Sequence, residues 1–262
     1  MRRLGRVGRT AVAVAGLSLL CSAAYAQPWV GSANYGPETV GPFDTYDFAL
    51  GPVLLKGAQG AGAGDLVTGY YQAYVDRHLL NGVGINERYL DTTGVDSGDD
   101  DYEITLVATF TSLITDANGT VDFMVQGGTA TLYLDDSPDY SFPGDSGFDN
   151  GVPLLSGDIV GGGGTFFGAL GIGVSSFDVA FDSVNGAVYS PPGLVGGSSV
   201  FTLQMSLTGV NAVAGSDFDP SEDILLGADG NIHLVVPIPA SVLLLGSGLA
   251  GVVLVGRRKT KS

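Results

Sequence analysis

The chain has 262 residues, 42 of them glycine, with one cysteine and a formal net charge of −16. All 27 acids lie between Glu38 and Asp229, where Lys56, Arg77 and Arg88 are the only Lys or Arg residues, so this central stretch carries a net −24. Such a surface repels nucleic acid and anionic polysaccharide unless divalent cations bridge the two, and the lone Cys21 rules out an internal disulfide. Folding therefore rests on burial. Of the acids 23 are Asp and 4 are Glu; Asp and Gly satisfy turn geometry where Glu favours helix, and that balance predicts an all-β fold.

In chain order, Arg2, Arg3, Arg6 and Arg9 form a positive leader, Ala11 to Leu20 an apolar run, and Ala24-Tyr25-Ala26 a small-x-small cleavage site. Residues 1–26 thus read as a secretory signal peptide, with the mature chain starting at Gln27. Leu20 before Cys21 does not suit a lipidated cysteine, and Leu4-Gly5-Arg6 after the arginine pair does not suit twin-arginine export.

Period-two alternation marks the strands. Tyr102, Ile104, Leu106, Ala108 and Phe110 share one face, with Glu103, Thr105 and Thr109 on the other. Phe177, Val179 and Phe181 alternate likewise, as do Phe201, Leu203, Met205 and Leu207. Residues 70–80, 85–90, 121–125, 129–134 and 232–236 are further strand candidates. Residues 66–80 also fit a short amphipathic helix, but Tyr70, Tyr71 and Tyr74 favour a strand. Eight or more strands predict one antiparallel β-sandwich over residues 27–235, jelly-roll or immunoglobulin-like. The glycine-rich stretches 57–64, 161–164 and 191–197 read as loops or tight inter-strand connections, and none opens a helix as a phosphate-cradling loop must.

Groups for catalysis are scarce. His78 and His233 are the only histidines, and Gly144-Asp145-Ser146-Gly147 resembles the nucleophile motif of chymotrypsin-like proteases. An Asp-Gly turn explains that match without chemistry, and a strand histidine explains the others. Calcium is the cation to consider, because hard oxygen ligands crowd three loops. The first holds Asp96, Asp99, Asp100 and Asp101; the second Asp135, Asp136, Asp139, Asp145 and Asp149; the third Asp217, Asp219, Glu222 and Asp223. Asp99, Asp101, Asp135, Asp136 and Asp139 are the candidate ligands, although none has the spacing of an EF-hand, and a solvated acidic loop is the competing reading.

The chain ends in Val236-Pro237-Ile238-Pro239-Ala240, an uncharged run through Gly256, then Arg257-Arg258-Lys259-Thr260-Lys261-Ser262. Residues 240–256 as a helix, at ~1.5 Å per residue, approach the length of a bilayer core, and the basic tail 257–262 holds the far end in the cytoplasm. This tail, residues 236–262, resembles the PEP-CTERM sorting signal of Gram-negative bacteria, in the variant with Val-Pro-(apolar)-Pro-Ala at its core. Ile238 stands where the commoner form has Glu. The resemblance implies an inner-membrane intermediate, processing at Val236, Pro237, Ile238, Pro239 and Ala240 by an exosortase after signal peptidase has cut the other end, and delivery to the cell surface or extracellular matrix.

Between the signals, Ala130 to Asp139 and the Phe/Thr-rich strands are similar to flocculation-associated PEP-CTERM proteins. That similarity implies a non-enzymatic role in biofilm or floc cohesion within an exopolysaccharide matrix, without cofactor and without nucleic acid. A calcium-dependent carbohydrate-binding module and a secreted hydrolase are the alternatives, with tyrosines such as Tyr70, Tyr71, Tyr74, Tyr133 and Tyr140 available to stack on sugars.

Overall fold

The structure, a computed structural model, describes residues 27–97, 101–195, 198–207 and 218–236. Every element among them is a strand: β1 (Gln27–Pro28), β2 (Gly31–Asn34), β3 (Thr39–Phe43), β4 (Thr45–Lys56), β5 (Leu66–Leu80), β6 (Val83–Gly84), β7 (Glu103–Asp116), β8 (Val121–Asp135), β9 (Val152–Phe167), β10 (Ile172–Val184), β11 (Tyr189–Ser190), β12 (Ser198–Ser206), β13 (Ile224–His233) and β14 (Val235–Val236). The expected signal peptide with Ala24 and Ala26, Pro237 to Ala240, the membrane helix and Arg257, Arg258 and Lys259 lie outside the described residues. Among the described residues no helix is long and apolar enough to cross a membrane.

Eight long strands pair in the order β4, β5, β7, β8, β9, β10, β12, β13, each antiparallel to the next, and β13 pairs back onto β4. An even count lets the first and last strands run in opposite directions, so an up-and-down sheet can close. The all-β expectation is met, but one closed, barrel-like sheet stands where two stacked sheets were expected. Alternation reports only that each strand has an inner face, which a sandwich and a barrel share. The deciding strand is β4, whose pairing with β5 breaks between Phe48 and Val53. Gly51 sits at that break, where a Cβ would lie 2.0 Å from the Gln72 carbonyl oxygen; the bulge hides the alternation of β4 from sequence reading.

Other local expectations are corrected. Residues 121–125 and 129–134 belong to one strand, β8, kinked at Gly127 with φ +157°. The Gly161–Gly164 run is not a loop but the middle of β9, where Cβ atoms at Gly162 and Gly164 would meet the carbonyl oxygens of Ser176 and Val174 at 2.2 and 2.4 Å. Residues 85–90 make no strand beyond the Leu90–Tyr102 bridge. Residues 66–80 are strand β5.

The barrel interior alternates large and small side chains. Phe177 packs against Phe110 and Phe201 at centroid separations of 4.8 and 5.8 Å, with the buried Ala73, Ala108, Ala130 and Ala228 elsewhere in the core. Phe110 needs Gly69, since a Cβ there would come within 2.3 Å of its ring.

One end is closed by the small sheet β11-β2-β3. Trp29 packs edge-on against Phe43 at 5.3 Å and Tyr189 at 5.8 Å, and its Nε1–H donates to the Pro191 carbonyl at 2.9 Å. Beneath it runs a buried polar chain. The Tyr189 and Tyr46 hydroxyls are 2.7 Å apart, those of Tyr46 and Tyr35 2.9 Å, and Tyr35 reaches His78 Nε2 at 2.7 Å. Glu87 completes it, accepting from His78 Nδ1 at 2.8 Å and from the His78 amide at 2.7 Å. Burial holds the Tyr35, Tyr46 and Tyr189 hydroxyls well above their ordinary pKa, so they stay protonated and pair as neutral groups.

Replacing Tyr46 with Phe removes the shared partner of Tyr35 and Tyr189. The expected loss is about 1–3 kcal/mol of stability in urea denaturation, with an unchanged m-value.

Candidate metal centre

Glu103 opens β7 and its register partner across the ladder is Asp135, the last residue of β8. Like charges directly opposite on neighbouring strands destabilise a sheet, so this pair needs a compensating group. Asp139 joins them four residues later. Carboxylate oxygens of Glu103, Asp135 and Asp139 all lie within 4.8 Å of one another. Two oxygens each bound about 2.4 Å from a calcium ion are separated by at most about twice that, so the spacing suits a shared hard cation.

Sequence periodicity put Glu103 on the solvent side of β7. It is the outer face, as expected, yet Glu103 is 0% and Thr105 1% exposed, because the 136–151 segment folds back over them. Tyr140, Phe142 and Phe148 of that segment form an aromatic layer with Tyr74, whose ring stacks on Tyr140 at 4.5 Å. Thr105 Oγ1 donates to the Phe148 carbonyl at 2.8 Å. Gly147, with φ +79°, lets the segment close, since a Cβ would sit 2.4 Å from Asp139 Oδ1.

The cover satisfies one of the two Glu103 oxygens. Oε2 accepts from the backbone N–H of Asp139 at 3.1 Å and of Tyr140 at 3.4 Å, whereas Oε1 is buried without a hydrogen-bond partner. Burial, reinforced by the Asp139 and Asp135 charges and opposed by those two N–H groups, pushes the carboxyl up to about 7. Asp139 accepts from Asn150 Nδ2 with both oxygens at 3.1 Å, and Asp135 Oδ1 caps the Ser137 amide at 2.9 Å.

Of the five candidate ligands, Asp135 and Asp139 are thus brought together. Asp136 is exposed beside them, Asp101 takes a hydrogen bond from the Ser97 hydroxyl, and Asp99 lies outside the described residues. Glu103 is the carboxylate of this cluster that sequence reading missed; the signal was a strand-end acid whose register partner is itself an acid. In the third loop, Asp223 is a clamp. It accepts from Lys56 Nζ at 2.8 Å and from the amides of Gly57 and Asp219 at 2.9 Å each, and these bonds hold its carboxyl down at about 2.

The remaining candidates have structural partners. Ser141 and Ser146 pair through their backbones in a tight turn, with Asp145 at φ 47°, and His78 is taken by Tyr35 and Glu87. His233 Nδ1 lies 2.9 Å from Thr45 Oγ1. Among the tyrosines suggested for sugar stacking, Tyr71 is buried, Tyr140 is buried within the aromatic layer of the 136–151 segment, and Tyr70 is exposed. No protein-family model, curated protein or solved structure matches the chain.

The raised Glu103 pKa sets a sign for pH dependence. The folded state holds this proton up to about pH 7, the unfolded chain only to about 4.3. Its contribution to stability therefore falls as pH rises through that window and levels off above it. Glu103→Gln is expected to flatten this decline and to be more stable than the natural protein at pH 8 in a chelator, measured by thermal unfolding.

Proposed function

We propose that this is an exported, non-enzymatic surface or matrix protein, sorted through the inner membrane by its C-terminal signal and contributing to cohesion within an exopolysaccharide matrix. The observation that carries the reading is the sequence 236–262: proline motif, uncharged run and basic end in the order a PEP-CTERM signal requires. Its position relative to the fold supports it. Leu234 is fully buried, and Val236, the first residue of the motif, packs on the core at the end of β14, the last described strand. The expected export signal at residues 1–26 would deliver this domain to the compartment where the motif is read.

The domain suits such a life. A closed sheet has no exposed edge ladder to recruit other chains, and a net −24 surface keeps copies apart. A second reading, a calcium-dependent carbohydrate-binding module, is favoured by Glu103 Oε1, a buried carboxylate oxygen without a partner in a three-acid cluster. A divalent cation there would satisfy it and offset the Glu103–Asp135 repulsion, and could bridge to sugar hydroxyls or uronate groups.

Two measurements separate the readings. Replacing Pro237 and Pro239 with Ala is expected to leave export intact and block tail removal, read by immunoblot as a species larger by the mass of the tail; normal processing would overturn the sorting assignment. Calcium binding at the cluster is expected to raise the thermal midpoint of the natural protein in millimolar Ca²⁺ and not that of Asp139→Asn. An equal rise in both, or none in either, removes the second reading and leaves the first standing.

A further inference from the structure

The two ends of the barrel are finished differently. The small sheet plugs one; the other contains a cavity of about 90 Å³ that opens to the surface. Its floor is the Phe110–Phe177 pair, and Met205 and Ile224 form part of its wall. Its roof is the β4–β5 connection, which contributes only the small side chains of Ala58 and Ala61. The roof is tied down on both sides. Asp223 grips Lys56 and the Gly57 amide, Gln59 N–H donates to the Glu222 carbonyl at 2.9 Å, and Gly64 N–H donates to the Ile114 carbonyl at 2.8 Å. The space is therefore built into the barrel and does not depend on a loose loop.

One wall residue breaks the apolar pattern. Ser112 takes the inward position between Phe110 and Ile114 on β7, is 5% exposed, and its hydroxyl is buried without a hydrogen-bond partner. Ser175, inward on β10 one step from Phe177 toward the same end, has an unpartnered hydroxyl too. An unpaired buried hydroxyl costs free energy that an alanine would avoid. Water is a poor remedy, since a buried water wants two to four polar partners and Ser112 is the only polar side chain among the described residues that line the cavity. A closed eight-stranded sheet has an interior of the size that holds side chains or one small ligand.

We propose that this end of the barrel binds a small apolar molecule carrying a single hydroxyl or carbonyl group, with the apolar part against Phe110 and Phe177 and the polar group hydrogen-bonded to Ser112. The volume is about three times the share of liquid that one water occupies and is smaller than an engineered cavity that takes benzene. That limits the enclosed part to a short alkyl chain or the end of a longer one. The proposal is independent of the sorting signal and of the acidic cluster.

The chain's three methionines supply the test. Met205 lines the cavity and Met124 is 54% exposed on the outside of the barrel. Methyl-labelled methionine in the full chain, held in lipid nanodiscs, is titrated with 1-hexanol and followed by NMR. The expected result is a saturable shift of the Met205 methyl signal with the Met124 signal unmoved. Ser112→Ala should weaken binding about five- to tenfold, the worth of one hydrogen bond, while raising the ligand-free thermal midpoint. Ala61→Phe, which fills the space from the roof, should abolish the shift. Linear, equal movement of both methyl signals, or a Ser112→Ala protein that binds 1-hexanol as tightly as the natural one, would overturn the proposal.

Discussion

Closure of the sheet through β4 is the constraint on which the rest of this structure depends. Without a disulfide, a chain of this size must bury its backbone polar groups in ladders that have no free edge, and an antiparallel sheet of eight strands closed on itself does that. Closure then dictates the interior. Every strand sends alternate residues into one space, so large rings at Phe110, Phe177 and Phe201 have to be matched by Gly69 and the core alanines. It also leaves two open ends, and the chain treats them differently: the segment before β4, with Tyr189, plugs one with aromatic rings and a hydroxyl chain anchored on His78, while small alanines roof the other.

Polar groups inside this frame divide into those the fold has satisfied and those it has not. The Tyr189, Tyr46, Tyr35, His78 and Glu87 chain is paired from end to end, and Asp223 holds three donors. Glu103 Oε1 and Ser112 Oγ have none. Gln72 Oε1, Ser175 Oγ and Ser199 Oγ share that state, but Glu103 and Ser112 each lie where a ligand of matching chemistry would complete them: a hard cation among carboxylates, a single polar group in an apolar cavity.

The strands were legible where alternation was clean, as in β7, β10 and β12, because a sheet with one buried face writes its burial directly into the sequence. Strand β4 and the glycine run of β9 were not. In both, close backbone approach selects Gly, and at Gly51 and Gly162–Gly164 composition mimics a loop. The acidic site was half legible: Asp135 and Asp139 stand out as a cluster, whereas Glu103 looks like an ordinary solvent-facing strand residue until the 136–151 segment is laid over it. That cover has no periodicity to announce it. Barrel closure was invisible for a similar reason, since it is a pairing between the first long strand and the last, and alternation says nothing about partners.

The proposed function joins a closed, acidic β domain to terminal sequences expected to export and sort it. Intact mass spectrometry of the protein recovered from the surface and matrix fraction of its native cells tests that union most directly. The expected result is a chain beginning at Gln27 and ending near the Val236 to Ala240 motif. A chain that retains Arg257 to Ser262 and is found only in membranes would contradict it.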